Sequence, residues 1–128
     1  LIKDNHLKIF NHDFGRIINS TKNRSRYIEI EVEDKNQALT AAQSIKKISS
    51  KNNKNLFALM LDKIPPKEIK AIVEDLKGLD LYDYVLLEAS GNINPENIVE
   101  YSGCGVDILS MGCMTNSAKI LNMSLEIK

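Results

Sequence analysis

The sequence predicts an α/β protein of parallel βα repeats, about five βα units, forming part of a TIM-like α/β barrel. Three observations predict it. Short apolar runs each lead into a longer amphipathic stretch, the order strand, loop, helix recurs five times at a spacing of roughly 25 residues, and every run ends on charged or small residues.

The runs are Leu1 to Asp4, Tyr27 to Glu33, Leu56 to Asp62, Asp83 to Ser90 and Val106 to Gly112. Leu56-Phe57-Ala58-Leu59-Met60-Leu61 is apolar throughout, the pattern of a parallel strand covered on both faces. Tyr27-Ile28-Glu29-Ile30-Glu31-Val32-Glu33 alternates strictly, with Ile28, Ile30 and Val32 on one side and three glutamates on the other. On an antiparallel edge strand the glutamates would simply face water. In a parallel βα array they face the barrel interior and must meet cations or ligand hydroxyls.

Helices are expected over Asp13 to Asn19, Asp34 to Ile48, Pro65 to Leu79 and Pro95 to Tyr101, with a final turn around Ser117 to Leu121. In the second, Asp34 is the expected N-cap, and Ala38, Ala41, Ala42, Ile45 and Ile48 form the apolar stripe. In the third, Pro66 sits near the start, Ile69, Ile72, Val73 and Leu76 share a face, and Gly78 is the expected stop. Residues 49–55 read as a polar loop between units, so one domain suffices.

Composition narrows the function. The chain has 128 residues with 17 Lys+Arg against 17 Asp+Glu, and this balance argues against a nucleic-acid binder that works through a basic surface. Only Arg16, Arg24 and Arg26 offer guanidinium clamps for anions. Cys104 and Cys113 have no metal spacing and read as reduced structural thiols. No window offers ~18 consecutive apolar residues, and the opening residues lack the plan of a signal peptide, so a soluble, cytoplasmic protein with no membrane partner is expected.

The strand ends locate the chemistry. They are Lys3-Asp4-Asn5-His6, then Glu31 and Glu33, Asp62, Glu88-Ala89-Ser90-Gly91, and Ser110-Met111-Gly112. Ser90-Gly91-Asn92-Ile93-Asn94-Pro95 is a small-residue turn entering a helix, with Asn94 as expected N-cap. It suits a phosphate as well as it suits a plain connection. Paired small-residue loops after the last two strands match the usual phosphate site of a βα barrel. Glu31 and Asp62 on neighbouring strands suit Mg²⁺ or sugar hydroxyls. Lys3 is a candidate for an anionic substrate. His6 lies near the proposed mouth, and His12 reads as a loop residue.

In order, Leu1-Ile2-Lys3-Asp4-Asn5-His6, Ile28-Glu29-Ile30-Glu31-Val32-Glu33, Leu59-Met60-Leu61-Asp62, Leu87-Glu88-Ala89-Ser90-Gly91 and Gly105-Val106-Asp107-Ile108-Leu109-Ser110-Met111-Gly112 resemble the carboxyl-terminal barrel of the quinolinate phosphoribosyltransferases. The resemblance implies conversion of quinolinate and phosphoribosyl pyrophosphate to nicotinate mononucleotide, pyrophosphate and CO₂, with Mg²⁺, in NAD synthesis. It implies that Lys3 neutralises anionic substrate and that Glu31 and Asp62 lie around the ribose hydroxyls and metal. Ser90 and Gly91, with Gly112, would cradle the 5'-phosphate. Asn92, Met111 and Asn116 fall in the same loops, and His6 beside the lysine.

The chain departs from the family pattern at three places. Asn92 stands for a second glycine, Asn116 for the histidine of Thr-His-Ser, and Asn122 for a later aspartate, so weakened phosphate binding is expected. Asn92 takes the turn only by entering left-handed backbone, which Asn tolerates better than most residues.

Five βα units against the roughly eight of a closed barrel give the expectation of a partial barrel. The family's amino-terminal α/β domain and first barrel strands, which carry the grip on quinolinate, are then outside these residues. A homodimer or higher homo-oligomer is expected of the full-length protein. The alternatives are a nicotinate phosphoribosyltransferase, the pyrophosphorylase-like protein associated with molybdenum transport, and a noncatalytic phosphate-binding remnant.

Overall fold

The computed structural model describes residues 1–49, 55–116 and 123–127. In chain order the elements are α1 (Asp4–Ile9), α2 (Phe14–Thr21), β1 (Tyr27–Val32), α3 (Lys35–Ile48), β2 (Leu56–Asp62), α4 (Pro66–Gly78), a 3₁₀ turn (Tyr82–Tyr84), β3 (Leu86–Ser90), α5 (Ile98–Ser102), β4 (Ile108–Leu109) and α6 (Cys113–Asn116). The strands form one parallel sheet in the order β1-β2-β3-β4. Strand order that follows chain order, with helical crossovers between neighbours, is what repeated βα units produce.

The first expected strand shrinks to one residue. Ile2 bridges Ile30 in parallel, its N–H donating to Glu29 O at 2.8 Å and its carbonyl accepting from Glu31 N at 2.9 Å. The chain then turns straight into α1, which the sequence reading did not contain. Leu7 is buried on its inner side.

One face of the sheet carries Ile28, Ile30, Val32, Phe57, Leu59, Leu61, Leu87 and Ala89, all buried. The expected stripes of α3 and α4 cover it: Ala38, Ala41, Ala42 and Ile45 from one, Ile69, Ile72, Val73 and Leu76 from the other. Asp34 caps α3 as expected, Oδ1 accepting from Gln37 N at 2.8 Å. The opposite face is not fully covered. There Leu56 is 51% exposed while Ala58 is wholly buried, so β2 is enclosed on one face and only partly on the other.

Four departures from expectation have a clear local reason. Helix α4 does not end because of Gly78, which is its last helical residue. The chain leaves through Asp80 at φ 53°, with Leu81 N donating to Leu76 O and Asp80 N to Lys77 O, a Schellman closure on an aspartate. Strand β3 starts at Leu86 rather than Asp83, because Tyr82–Tyr84 coil into a 3₁₀ turn and the Tyr82 hydroxyl donates to Gly105 O at 3.0 Å.

Helix α5 starts at Ile98, not Pro95. Asn94 Oδ1 accepts from Glu96 N and Asn97 N, which closes a turn in place of a first helical turn. Strand β4 is two residues long instead of seven. Asp107 Oδ2 takes the Leu87 N–H at 2.8 Å, so a side chain completes the ladder there. The expected turn at 117–121 lies outside the described residues, as do Asn122 and most of the 49–55 loop.

Replacing Gly78 by Ala should stabilise the protein by about 0.5–1 kcal/mol in urea unfolding, because Gly78 is helical and an added Cβ meets nothing within 4 Å. A loss of stability would show that Gly78 ends the helix after all.

Candidate functional site

Parallel pairing places the carboxyl ends of the strands along one edge, and the candidate residues fall into three groups there. The first is Lys3 with Glu31. The Ile2 bridge holds Lys3 beside the end of β1, and Lys3 Nζ lies 3.7 Å from Glu31 Oε2. Glu31 is half-buried while the lysine is exposed.

The second group surrounds Asp62 at the end of β2, level with Ser90 on β3. Lys63 Nζ contacts Asp62 Oδ2 at 2.9 Å, and that hydrogen bond raises the Lys63 ammonium above the ordinary lysine range. Lys63 sits at φ 57° and its N–H donates to Ser90 O at 2.8 Å. This folds the loop after β2 against the loop after β3. Gly91 lies in the crease at φ 89°, where a Cβ would stand 2.8 Å from Lys63 N and 2.9 Å from Asp62 Oδ1. Only glycine fits the space and the backbone conformation together. Lys63 escaped the sequence reading, since a positive φ on a lysine leaves no compositional mark.

The third group is a cleft of ≈ 360 Å³ between the loops after β3 and β4, lined by Asn92, Ile93, Asn94, Gly112, Cys113 and Asn116. Asn92 adopts φ 59°, the left-handed conformation that the missing second glycine would have supplied. Met111 belongs to this loop by sequence, but its side chain is half-buried and packs on the core. His6 is not directed to the site by its bonding: Nδ1 accepts from Lys3 N at 3.2 Å, so it serves as an N-terminal cap of α1.

Glu29 and Glu88 form an unexpected pair on the exposed-side face of the sheet. Burial first, then a hydrogen bond with Glu88 and its charge, push Glu29 up to about 7. The amide-rich cleft and the carboxylates are suited to phosphate and to ribose hydroxyls or a hard cation, respectively. Among the described residues no three His, Cys, Asp or Glu side chains form a metal cluster. Cys104 and Cys113 are free thiols, and burial raises Cys104.

A family model described as quinolinate phosphoribosyl transferase, C-terminal domain, matches residues 1–126. The chain belongs to this family. It is 35% identical to a probable carboxylating nicotinate-nucleotide pyrophosphorylase of Methanothermobacter thermautotrophicus, over 100% of this chain and 43% of that protein. It is 31% identical to the carboxylating nicotinate-nucleotide pyrophosphorylase of Dictyostelium discoideum, over 100% of this chain and 39% of the relative. Among solved structures it resembles NadC from Streptococcus pyogenes with a TM-score of 0.75 and 26% identity, covering 98% of this chain and 39% of that one. The Francisella tularensis nicotinate-nucleotide pyrophosphorylase gives 0.68 and 27%, covering 96% and 38%. The chain thus spans about two fifths of the length of the relatives it matches.

Two outcomes test this member of the quinolinate phosphoribosyl transferase family at its site. Gly91→Ala should cost about 1–2 kcal/mol or more, read by urea unfolding, because it adds left-handed strain to a backbone clash. The Glu29 carboxyl is raised in the folded state, so it holds a proton that the unfolded chain releases above about pH 4.5. Its contribution to stability is therefore present in full below that pH and lost as pH rises to about 7. The Glu29→Gln variant should gain in melting temperature on the wild type between about pH 5 and about pH 8; a constant difference would count against the shift.

Proposed function

We propose that this chain forms the phosphoribosyl-binding part of an enzyme that converts quinolinate and phosphoribosyl pyrophosphate to nicotinate mononucleotide, pyrophosphate and CO₂, a step of NAD synthesis. The observation that carries the reading is the gathering of Lys3–Glu31, Asp62–Gly91 and the Asn92–Gly112–Asn116 cleft along one edge of a parallel sheet. Family membership and the names of the relatives support it.

In this reading the cleft takes the 5'-phosphate. The Asn92 and Gly112 turns offer backbone without bulky side chains, and Asn116 adds an amide where the family carries histidine. Glu31 and Asp62 hold the ribose hydroxyls and stabilise positive charge that develops at the anomeric carbon as its bond to pyrophosphate breaks. Lys3 neutralises anionic substrate. The pyridine nitrogen attacks the anomeric carbon as its bond to pyrophosphate breaks; the adjacent carboxylate then leaves as CO₂, its electron pair stays on the ring carbon beside the cationic nitrogen, and that carbon takes a proton from solvent to give nicotinate mononucleotide.

Glu31 and Asp62 also fit a Mg²⁺ ion, since each is a half-buried hard oxygen donor and Mg²⁺ keeps most of its shell for substrate and water. Bound there, the ion would make pyrophosphate a better leaving group. The two carboxylates of quinolinate need further cations. Arg24 and Arg26 precede β1 at the opposite end of the sheet, and Arg16 on α2 stacks on Phe10. The grip on the acid is therefore assigned to parts of the enzyme beyond these 128 residues, including a closed barrel and a partner subunit of a homodimer or larger homo-oligomer. The face bearing Glu29, Glu31, Glu88 and Asp62 becomes the barrel interior. Among the described residues no helix is long and apolar enough to cross a membrane.

The chain alone should bind phosphoribosyl pyrophosphate, with Lys3→Ala and Asp62→Ala each weakening binding about tenfold in calorimetry, and should produce no nicotinate mononucleotide from quinolinate. Binding unchanged in both variants would refute the site. Product formed by the chain alone would refute the assignment of the quinolinate grip elsewhere.

A further inference from the structure

Among the described residues Glu88 is the one buried charged side chain, at 7% exposure. A carboxyl so placed must be held by specific partners. One partner is Ser110, whose Oγ donates to Glu88 Oε1 at 2.6 Å. From the other side the Glu29 carboxyl meets it. Glu29 and Glu88 are on strands separated by β2, and the register explains how they touch. Glu29 is level with Ala58, whose methyl leaves room above the sheet, whereas Glu31 is level with Met60 and turns to Lys3 instead.

Ser110 is bound to β3 twice, since its backbone N–H also donates to Ala89 O at 3.0 Å. Strand β4 has only two residues, so these bonds are a large part of what fixes the chain as it enters the Met111–Gly112 turn. Beyond Ser110, Gly112 O accepts from Thr115 N and Asn116 N, which carries the same anchor into α6. The other wall of the cleft, Asn92 to Asn94, follows β3 directly. The bond from Ser110 to Glu88 thus lies at the base of both walls.

We propose that Glu88 is a positioning residue: by anchoring the Ser110 hydroxyl it sets the Met111–Gly112 turn against the Asn92 turn and so fixes the width of the phosphate cleft. The inference rests on the reading of that cleft as a phosphate site. Neither Glu88 nor Ser110 needs to touch the ligand.

The test uses the chain with inorganic phosphate as probe, and Ser110→Ala, Ser110→Thr and Glu88→Gln as variants. Ser110→Ala should weaken phosphate binding about tenfold, the scale of one hydrogen bond to a charged group, and displace the Gly112 amide signal in the ligand-free nitrogen–proton spectrum. Ser110→Thr, which keeps the hydroxyl, should restore both. Glu88→Gln keeps an acceptor and should fall between wild type and Ser110→Ala. A Gly112 signal unmoved by Ser110→Ala would overturn the proposal, as would Ser110→Thr behaving like Ser110→Ala. If the wild type does not bind phosphate, the cleft reading fails, and the Gly112 signal in the three variants still decides the positioning role.

Discussion

Unbroken parallel pairing is the constraint on which the rest of this molecule depends. Because β1, β2 and β3 run the same way in one register, the residues that end them arrive at one edge, and each loop there begins from a fixed height. Lys3 reaches this edge through a single bridging residue, Ile2, with two backbone hydrogen bonds. A one-residue slip would turn the glutamates of β1 into the helix-covered core and Ile28, Ile30 and Val32 outward. Core packing therefore fixes the position of the polar site, and one core side chain, Ile93, also lines its cleft.

The second face of the sheet follows a different rule. Leu56, Ala58, Met60 and Leu86 share it with carboxylates, which are held by polar contacts: Lys3 with Glu31, Lys63 with Asp62, and Ser110 with Glu88. Ala58 holds these contacts apart and together. Its small size lets Glu29 cross β2, and the larger Met60 beside it separates Glu31 from Glu88. The four carboxylates thus sort into two that meet a lysine, Glu31 and Asp62, and two that meet each other, Glu29 and Glu88.

Much of this was legible beforehand. The stripes of α3 and α4 have the period of helices on a sheet, and the alternation in Tyr27 to Glu33 assigned its two faces correctly. Several of the misplaced boundaries share a cause: polar side chains and left-handed residues start or end elements where the apolar pattern alone set other limits. Asp80 closes α4 in place of Gly78, Asn94 closes a turn in place of capping a helix, and Asp107 completes part of a strand. Lys63, Asp80 and Asn92 all take positive φ, and no compositional rule marks a lysine or an aspartate for that role. Within the site, the shared edge was foreseeable, but the pairing of Lys3 with Glu31 and of Lys63 with Asp62 was not. The contact of Glu29 with Glu88 was not either, since it depends on which neighbour between them is small.

The lysine folded back on Asp62 has a wider consequence. A carboxylate kept ready for a cation would ordinarily collect stray ions or repel the acids around it. Here the protein supplies its own exchangeable counterion, tethered one residue away on a flexible stem. A positively charged ligand group that entered would displace an ammonium that stays tethered beside it, so the net charge of the edge would rise by the charge of that group. A Lys63 released in this way would remain beside the Gly91 turn. In effect the site trades an internal ion pair for an external one and gains a mobile cation in the exchange.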